Sequence, residues 1–121
     1  MSNELNALDV VQPIPRAERI ARLNDTLRKS GQGGVIMVTR GVRALPEFNV
    51  TALLLMLQTT DGFDEDNDPH GERDFGDLDW WGTSLLWKID YYDIDMLRAS
   101  SDPADAAATK RVLTVMLASE Y

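Results

Sequence analysis

His70 is the only histidine in the chain, and Asp68 and Glu72 lie two residues to either side of it. A carboxylate beside an imidazole favours the protonated ring and can orient it as a general base. The stretch around it, DGFDEDNDPHGERDFG at 61–76, holds seven carboxylates, this histidine and one arginine. Three chemistries are open to such a set. Asp66, Asp68, His70 and Glu72 could form a metal-dependent hydrolytic centre, with His70, Glu72 and Asp68 as its catalytic groups. Asp64, Asp66 and Asp68 could supply oxygens to Mg2+ or Ca2+, hard cations that need only clustered oxygen ligands. Alternatively Asp64, Glu65, Asp66, Asp68 and Glu72, with Asp77 and Asp79 behind them, could present a negative surface to a basic partner.

Spacing separates these readings. A calcium loop started at Asp64 places Asp66 and Asp68 correctly, then fails: Pro69 falls where the sharp turn needs glycine, and Phe75 where a bidentate Glu belongs. Zinc usually takes three nitrogen or sulfur ligands, and the chain offers one histidine and no cysteine. No GxSxG or HExxH motif is present, and GQGG at 31–34 lacks the Lys-Ser/Thr of a phosphate loop. The expectation is therefore a protein that binds rather than catalyses, with no resident cofactor. In an extended segment Asp64, Asp66 and Asp68 would share one side, about 6.6 Å per two residues. Crowded like charges repel, and a basic partner would relieve that cost. The plainest alternative is a solvated loop with turns at Asn67-Asp68-Pro69 and His70-Gly71. Its Asp74 or Asp77 would then pair with Arg73, Arg40 or Arg43.

The whole-chain charge supports a regional reading. The formal net charge is −8, yet residues 61–95 carry twelve acids against only Arg73 and Lys88. That middle third is unsuited to contact nucleic acid directly. The mildly basic N-terminal part places five of its seven cations on one expected helix, where they read as a solvated face. At 121 residues and 44% apolar composition, the chain suits one domain with one core. Absence of cysteine, of a basic-then-apolar leader and of a long apolar run leads to the expectation of a cytoplasmic protein without membrane contact.

These residues need elements to hold them. Residues 1–14 read as a flexible arm and 15–121 as a single domain. Ala17, Ile20, Leu23 and Leu27 recur at helical steps from Pro15 to about Ser30, where GQGG stops the helix. VIMVTR at 35–40 reads as a buried strand, followed by a turn from Gly41 to Leu45. Pro46 opens a second helix over 46–58, apolar on nearly every face, which either forms the centre of the core or joins two copies as a homodimer. DFGDLDW and TSLLWKIDYY flank a Trp81-Gly82 turn as a hairpin. Leu85, Trp87, Ile89 and Tyr91 lie on its apolar side, and only one of Trp80 and Trp81 can face the core. For the last segment, Asp102 as cap, Pro103 in the first turn and Asp105 near the dipole describe a C-terminal helix. The resulting class is α+β, in the order α-β-α-β-β-α, with a three- or four-stranded, mainly antiparallel sheet packed by helices.

The strings MVTRGV, DNDPHGERDFG, WKIDYYD and RVLTVMLASEY resemble a family of small bacterial proteins catalogued as a domain of unknown function, family number 3768. The likeness runs from about Arg16 to the C-terminus and implies one compact domain, with no established activity. Members resemble passengers of plasmids and other mobile elements, where small acidic proteins act as nucleic-acid mimics against host nucleases or DNA-binding proteins. An inhibitor of the anti-CRISPR or anti-restriction type is the corresponding expectation. Arg73 stands where the family pattern commonly has a second histidine, which weighs against a two-histidine metal site.

Overall fold

The computed structural model describes residues 13–121; the expected arm over 1–14 lies outside these, apart from Pro13 and Ile14. Helix α1 spans Arg16–Ser30 and stops at Gly31, whose left-handed φ of 76° lets its N–H bond the Leu27 carbonyl at 2.8 Å. Strand β1 covers Gly34–Val38 and a one-turn helix α2 covers Arg40–Arg43. Helix α3 begins at Val50 and ends at Thr59, shorter than the expected 46–58 element. Asn49 is the reason: its side chain accepts from the Ala52 N–H at 3.0 Å and caps the helix, while Pro46 belongs to the preceding turn.

The hairpin forms as expected, β2 over Phe75–Trp80 and β3 over Thr83–Tyr92. Trp81 (φ 43°) and Gly82 (φ 91°) make its two-residue turn, the conformation that matches strand twist. Trp80 is buried and Trp81 exposed, as strand alternation requires for an adjacent pair.

The final segment departs from expectation. Lys110–Leu117 is a strand, β4, rather than a helix, with single 3-10 turns before and after it at Ala106–Ala108 and Ala118–Glu120. Asp102 and Asp105 still cap, accepting from the N–H groups of Ala104 and Ala107, but what they cap is a turn. Val112, Thr114 and Val115 are β-branched, and Arg111, Leu113 and Val115 share the buried side. Tertiary pairing decides the matter: β4 lies between β1, to which it is parallel, and β3, to which it is antiparallel. The sheet order is β1-β4-β3-β2, four strands with two antiparallel pairings and one parallel. The α+β class and the mainly antiparallel sheet thus hold.

The core gathers Leu27 from α1, Val42 from α2, Leu53 and Leu57 from α3, and Trp80, Leu85, Trp87, Ile89, Leu113 and Val115 from the strands. Each fully buried aliphatic side chain contributes about 1.5–3 kcal/mol relative to exposure. The helices therefore cover one face of the sheet. No helix among the described residues is long and apolar enough to cross a membrane.

Candidate functional site

The acidic stretch runs from the end of α3 to the start of β2, and two devices hold it. The first is internal. Asp64 accepts from the N–H groups of Asp66 and Asn67 at 2.9 and 3.0 Å, and Asn67 returns the favour by accepting from the Asp64 N–H at 2.8 Å. This reciprocal side-chain capping closes a turn over Asp64–Asp68. The expected extended arrangement of Asp64, Asp66 and Asp68 along one side is therefore not formed. Asp68 turns inward, and both of its carboxylate oxygens accept from the Arg73 N–H.

The second device is a set of polar groups on α1. The Arg73 guanidinium bonds Asp25 and Glu18, at 2.8 and 3.3 Å in the ion pairs, so it serves neither Asp74 nor Asp77. Arg73 holds the Glu18 carboxyl below the usual carboxylate range, with help from Arg22. Asn24, fully buried, donates to the Glu72 carbonyl at 2.9 Å and to the Tyr91 hydroxyl at 2.8 Å. The hydroxyl in turn donates to the Glu72 carboxylate at 2.9 Å. Burial, then the bond to Glu72, pushes the Tyr91 phenol far above its ordinary range, so it stays a donor. Arg111 completes the set. It donates to the Asn24 amide oxygen at 2.9 Å and to the Pro103 carbonyl, and its guanidinium lies 5.2 Å from the Tyr91 ring centre.

Arg28 is also inside, against its expected place on a solvated face. It donates to the carbonyls of Leu57 and Thr60 at 2.7 and 2.9 Å, closing the C-terminus of α3, and pairs with Asp25 at 3.0 Å. A helical signal for these residues was present: Asn24 and Arg28 fall on the same stripe as Ile20 and Leu27. Two polar residues on an apolar stripe mark a buried network rather than solvent.

His70 is exposed; Asp68 bonds the Arg73 backbone and Glu72 bonds Tyr91, and neither makes a hydrogen bond to His70. What His70 does share with Asp64, Glu65 and Asp68 is a shallow cavity of about 390 Å3. Among the described residues, no three His, Asp or Glu side chains are gathered as a metal ion would require.

Other carboxylates remain open. No hydrogen bond or ion pair among the described residues reaches the side chains of Asp61, Glu65, Asp66 or Asp77. Asp79 accepts only from the Gly82 N–H at 3.3 Å. Among the described residues, the only carboxylates of 61–95 in ion pairs are Asp90, with Lys88, and Asp93, with Arg98. Asp61, Asp66 and Asp77 come together around a second cavity of about 390 Å3, walled by Phe63, Phe75 and Leu86. Asp74 behaves differently: burial, followed by the charges of Glu72 and Asp68, raises its carboxyl above the usual range.

No curated protein and no solved structure matches the chain. A family model described as "Protein of unknown function (DUF3768)" matches residues 38–120. That span begins at the end of β1 and takes in both strands of the hairpin, the acidic stretch and β4, leaving out the α1 residues that hold Glu72 and Arg73. More than half of the chain is covered, and the protein belongs to this family.

Proposed function

We propose that this protein is a small acidic interaction module whose open carboxylates receive a basic protein surface, and that it turns over no substrate. One observation carries the reading: Asp61, Glu65, Asp66 and Asp77 are left without cations while the nearby arginines Arg28 and Arg73 are committed to Asp25 and Glu18. A fold that needed those charges neutralised has the cations to do it and spends them elsewhere. The partner that fits is a nucleic-acid-binding host protein, whose phosphate-reading face would meet carboxylates in place of phosphates. A cytoplasmic inhibitor of the anti-CRISPR or anti-restriction type, carried by a mobile element, is the fullest form of the proposal. The test is an affinity capture from the native host at low and high salt. Retention at low salt and release near 1 M, where the Debye length is about 3 Å, supports the reading. Capture insensitive to salt, or unchanged by joint Asp61→Asn, Glu65→Gln, Asp66→Asn and Asp77→Asn replacement, overturns it.

A second reading, a metal-dependent hydrolase using Mg2+ or Ca2+, draws support only from the cavity that His70 shares with Asp64, Glu65 and Asp68. Millimolar divalent cation should then raise the melting temperature by mass action, and His70→Ala should abolish turnover. Self-association through the 46–58 segment is proposed on the exposure of Val50 and Leu55, at 52% and 58%. Sedimentation of Leu55→Glu beside the parent chain tests it.

A further inference from the structure

β2 is an edge strand of the sheet, and its outward side carries the open carboxylates. The Ile89 N–H bonds the Asp74 carbonyl at 2.8 Å, and the register continues as Gly76 to Trp87, Leu78 to Leu85 and Trp80 to Thr83. In an antiparallel pair, alternate residues turn their backbone groups to the same neighbour. Gly76, Leu78 and Trp80 therefore face β3, while Phe75, Asp77 and Asp79 point their N–H and C=O groups away from the sheet. No turn, loop or side-chain hydrogen bond among the described residues uses those groups.

Such an edge would template another strand unless something guards it. Here the guard is selective. Asp77 and Asp79 project from one face of the edge about 6.6 Å apart, so a second copy of β2 would set carboxylate against carboxylate. A strand with lysine or arginine at alternate positions meets the opposite: each cation lies across from an aspartate. Both ends of the edge carry receptacles. Beside Phe75 and Asp77 is the cavity of about 390 Å3 that also holds Asp61, Phe63 and Asp66. At the far end, Trp81 and Trp80 face Pro46 and Glu47 across a cavity of about 290 Å3. Trp81 is 75% exposed and sits at a φ of 43°, a conformation a bulky side chain rarely adopts. An exposed indole beside Glu47 suits a lysine or arginine head by cation–π contact and charge together.

We infer that the free edge of β2 accepts an extended, lysine- or arginine-bearing segment of the partner as a fifth strand, by backbone pairing to Phe75, Asp77 and Asp79. This rests on the proposed basic partner and adds the mode of contact. The probe is a capped heptapeptide of alternating lysine and threonine, long enough to span β2, beside a twin of equal charge with alternate amides N-methylated. Binding is followed by amide exchange in NMR spectra of the full chain. Expected are slower exchange at Phe75, Asp77 and Asp79, an affinity at least about tenfold higher for the unmethylated peptide, and loss of binding in Asp77→Asn with Asp79→Asn. Equal, salt-sensitive binding of both peptides, with those three amides unprotected, overturns strand addition and leaves the acidic-surface reading standing. Failure of the unmethylated peptide to bind even at low salt also overturns strand addition. The capture experiment then decides separately whether any basic partner exists. Trp81→Ala should weaken the peptide severalfold while leaving the amide pattern unchanged; an unaltered affinity would remove the cation socket from the proposal.

Discussion

Residues 68–74 and residues 75–80 are neighbours with a similar density of carboxylates, and the fold uses them in opposite ways. In the first, Asp68 is spent on the Arg73 backbone, Glu72 on Tyr91, and Asp74 is partly withdrawn from water. In the second, Asp77 is open and Asp79 touches only the hairpin turn. The difference comes from what lies opposite. The 68–74 segment faces α1, which offers Asn24, Asp25 and Glu18, whereas β2 is at the edge of the sheet. Acid density alone does not mark a binding surface; the available partners sort structural carboxylates from free ones.

This contrast can be broken at several points. The largest effect should follow Arg28→Ala, which leaves Asp25 short of a partner and two carbonyls at the end of α3 without a donor. A loss of about 3–5 kcal/mol is expected, read as a lower urea midpoint. Asn24→Ala removes one side chain shared by Arg111, Glu72 and Tyr91. Unfolding titrations should show about 2–3 kcal/mol lost, because several buried groups lose partners at once. Gly76→Ala is next. A methyl there would come 2.5 Å from the indole nitrogen of fully buried Trp87, so about 1–3 kcal/mol of overpacking should appear as a lower melting temperature.

On the open side the expected stability effect is close to nil. Asp77→Asn with Asp79→Asn should stay within about 0.5 kcal/mol of the parent chain by the same titration. A large loss would make these carboxylates structural after all and erase the contrast.

Acid pH sharpens it further through two opposite signs. The carboxyl of Glu18 is depressed by Arg73, so its stabilisation is present above the unfolded pKa and is lost as pH falls through the folded value. The destabilisation caused by Arg73→Ala should accordingly be full at neutral pH and shrink below about pH 4. The carboxyl of Asp74 is raised by burial, so the folded state takes up its proton more readily and gains stability as pH falls through that value. Asp74→Asn should then raise the melting temperature at neutral pH, with the gain fading in acid. A melting series for the two variants checks both signs.

Much of the architecture was legible locally. The α1 stripe, the Gly31 stop and the hairpin with its Trp81-Gly82 turn follow from periodicity and turn chemistry within a dozen residues. Strand β4 was not, because its local signals were mixed: Asp102, Pro103 and Asp105 describe a helix start, while the β-branched run that follows suits a strand. The burial of Arg28 was half legible, since its position on the apolar stripe was visible but the carbonyls that receive it were not.

The sequence by itself determined the concentration of acids in the middle third, the hairpin they lead into and the alternation that lets only one of Trp80 and Trp81 face the core. Only the tertiary structure decided which acids are free. That depends on contacts between residues far apart in the chain, such as Arg73 with Glu18, Asn24 with Glu72 and Arg111 with Asn24, and on the sheet order that leaves β2 at an edge. Charge and periodicity are properties of neighbours along the chain, whereas hydrogen-bond partners and strand edges exist only after distant segments have been brought together.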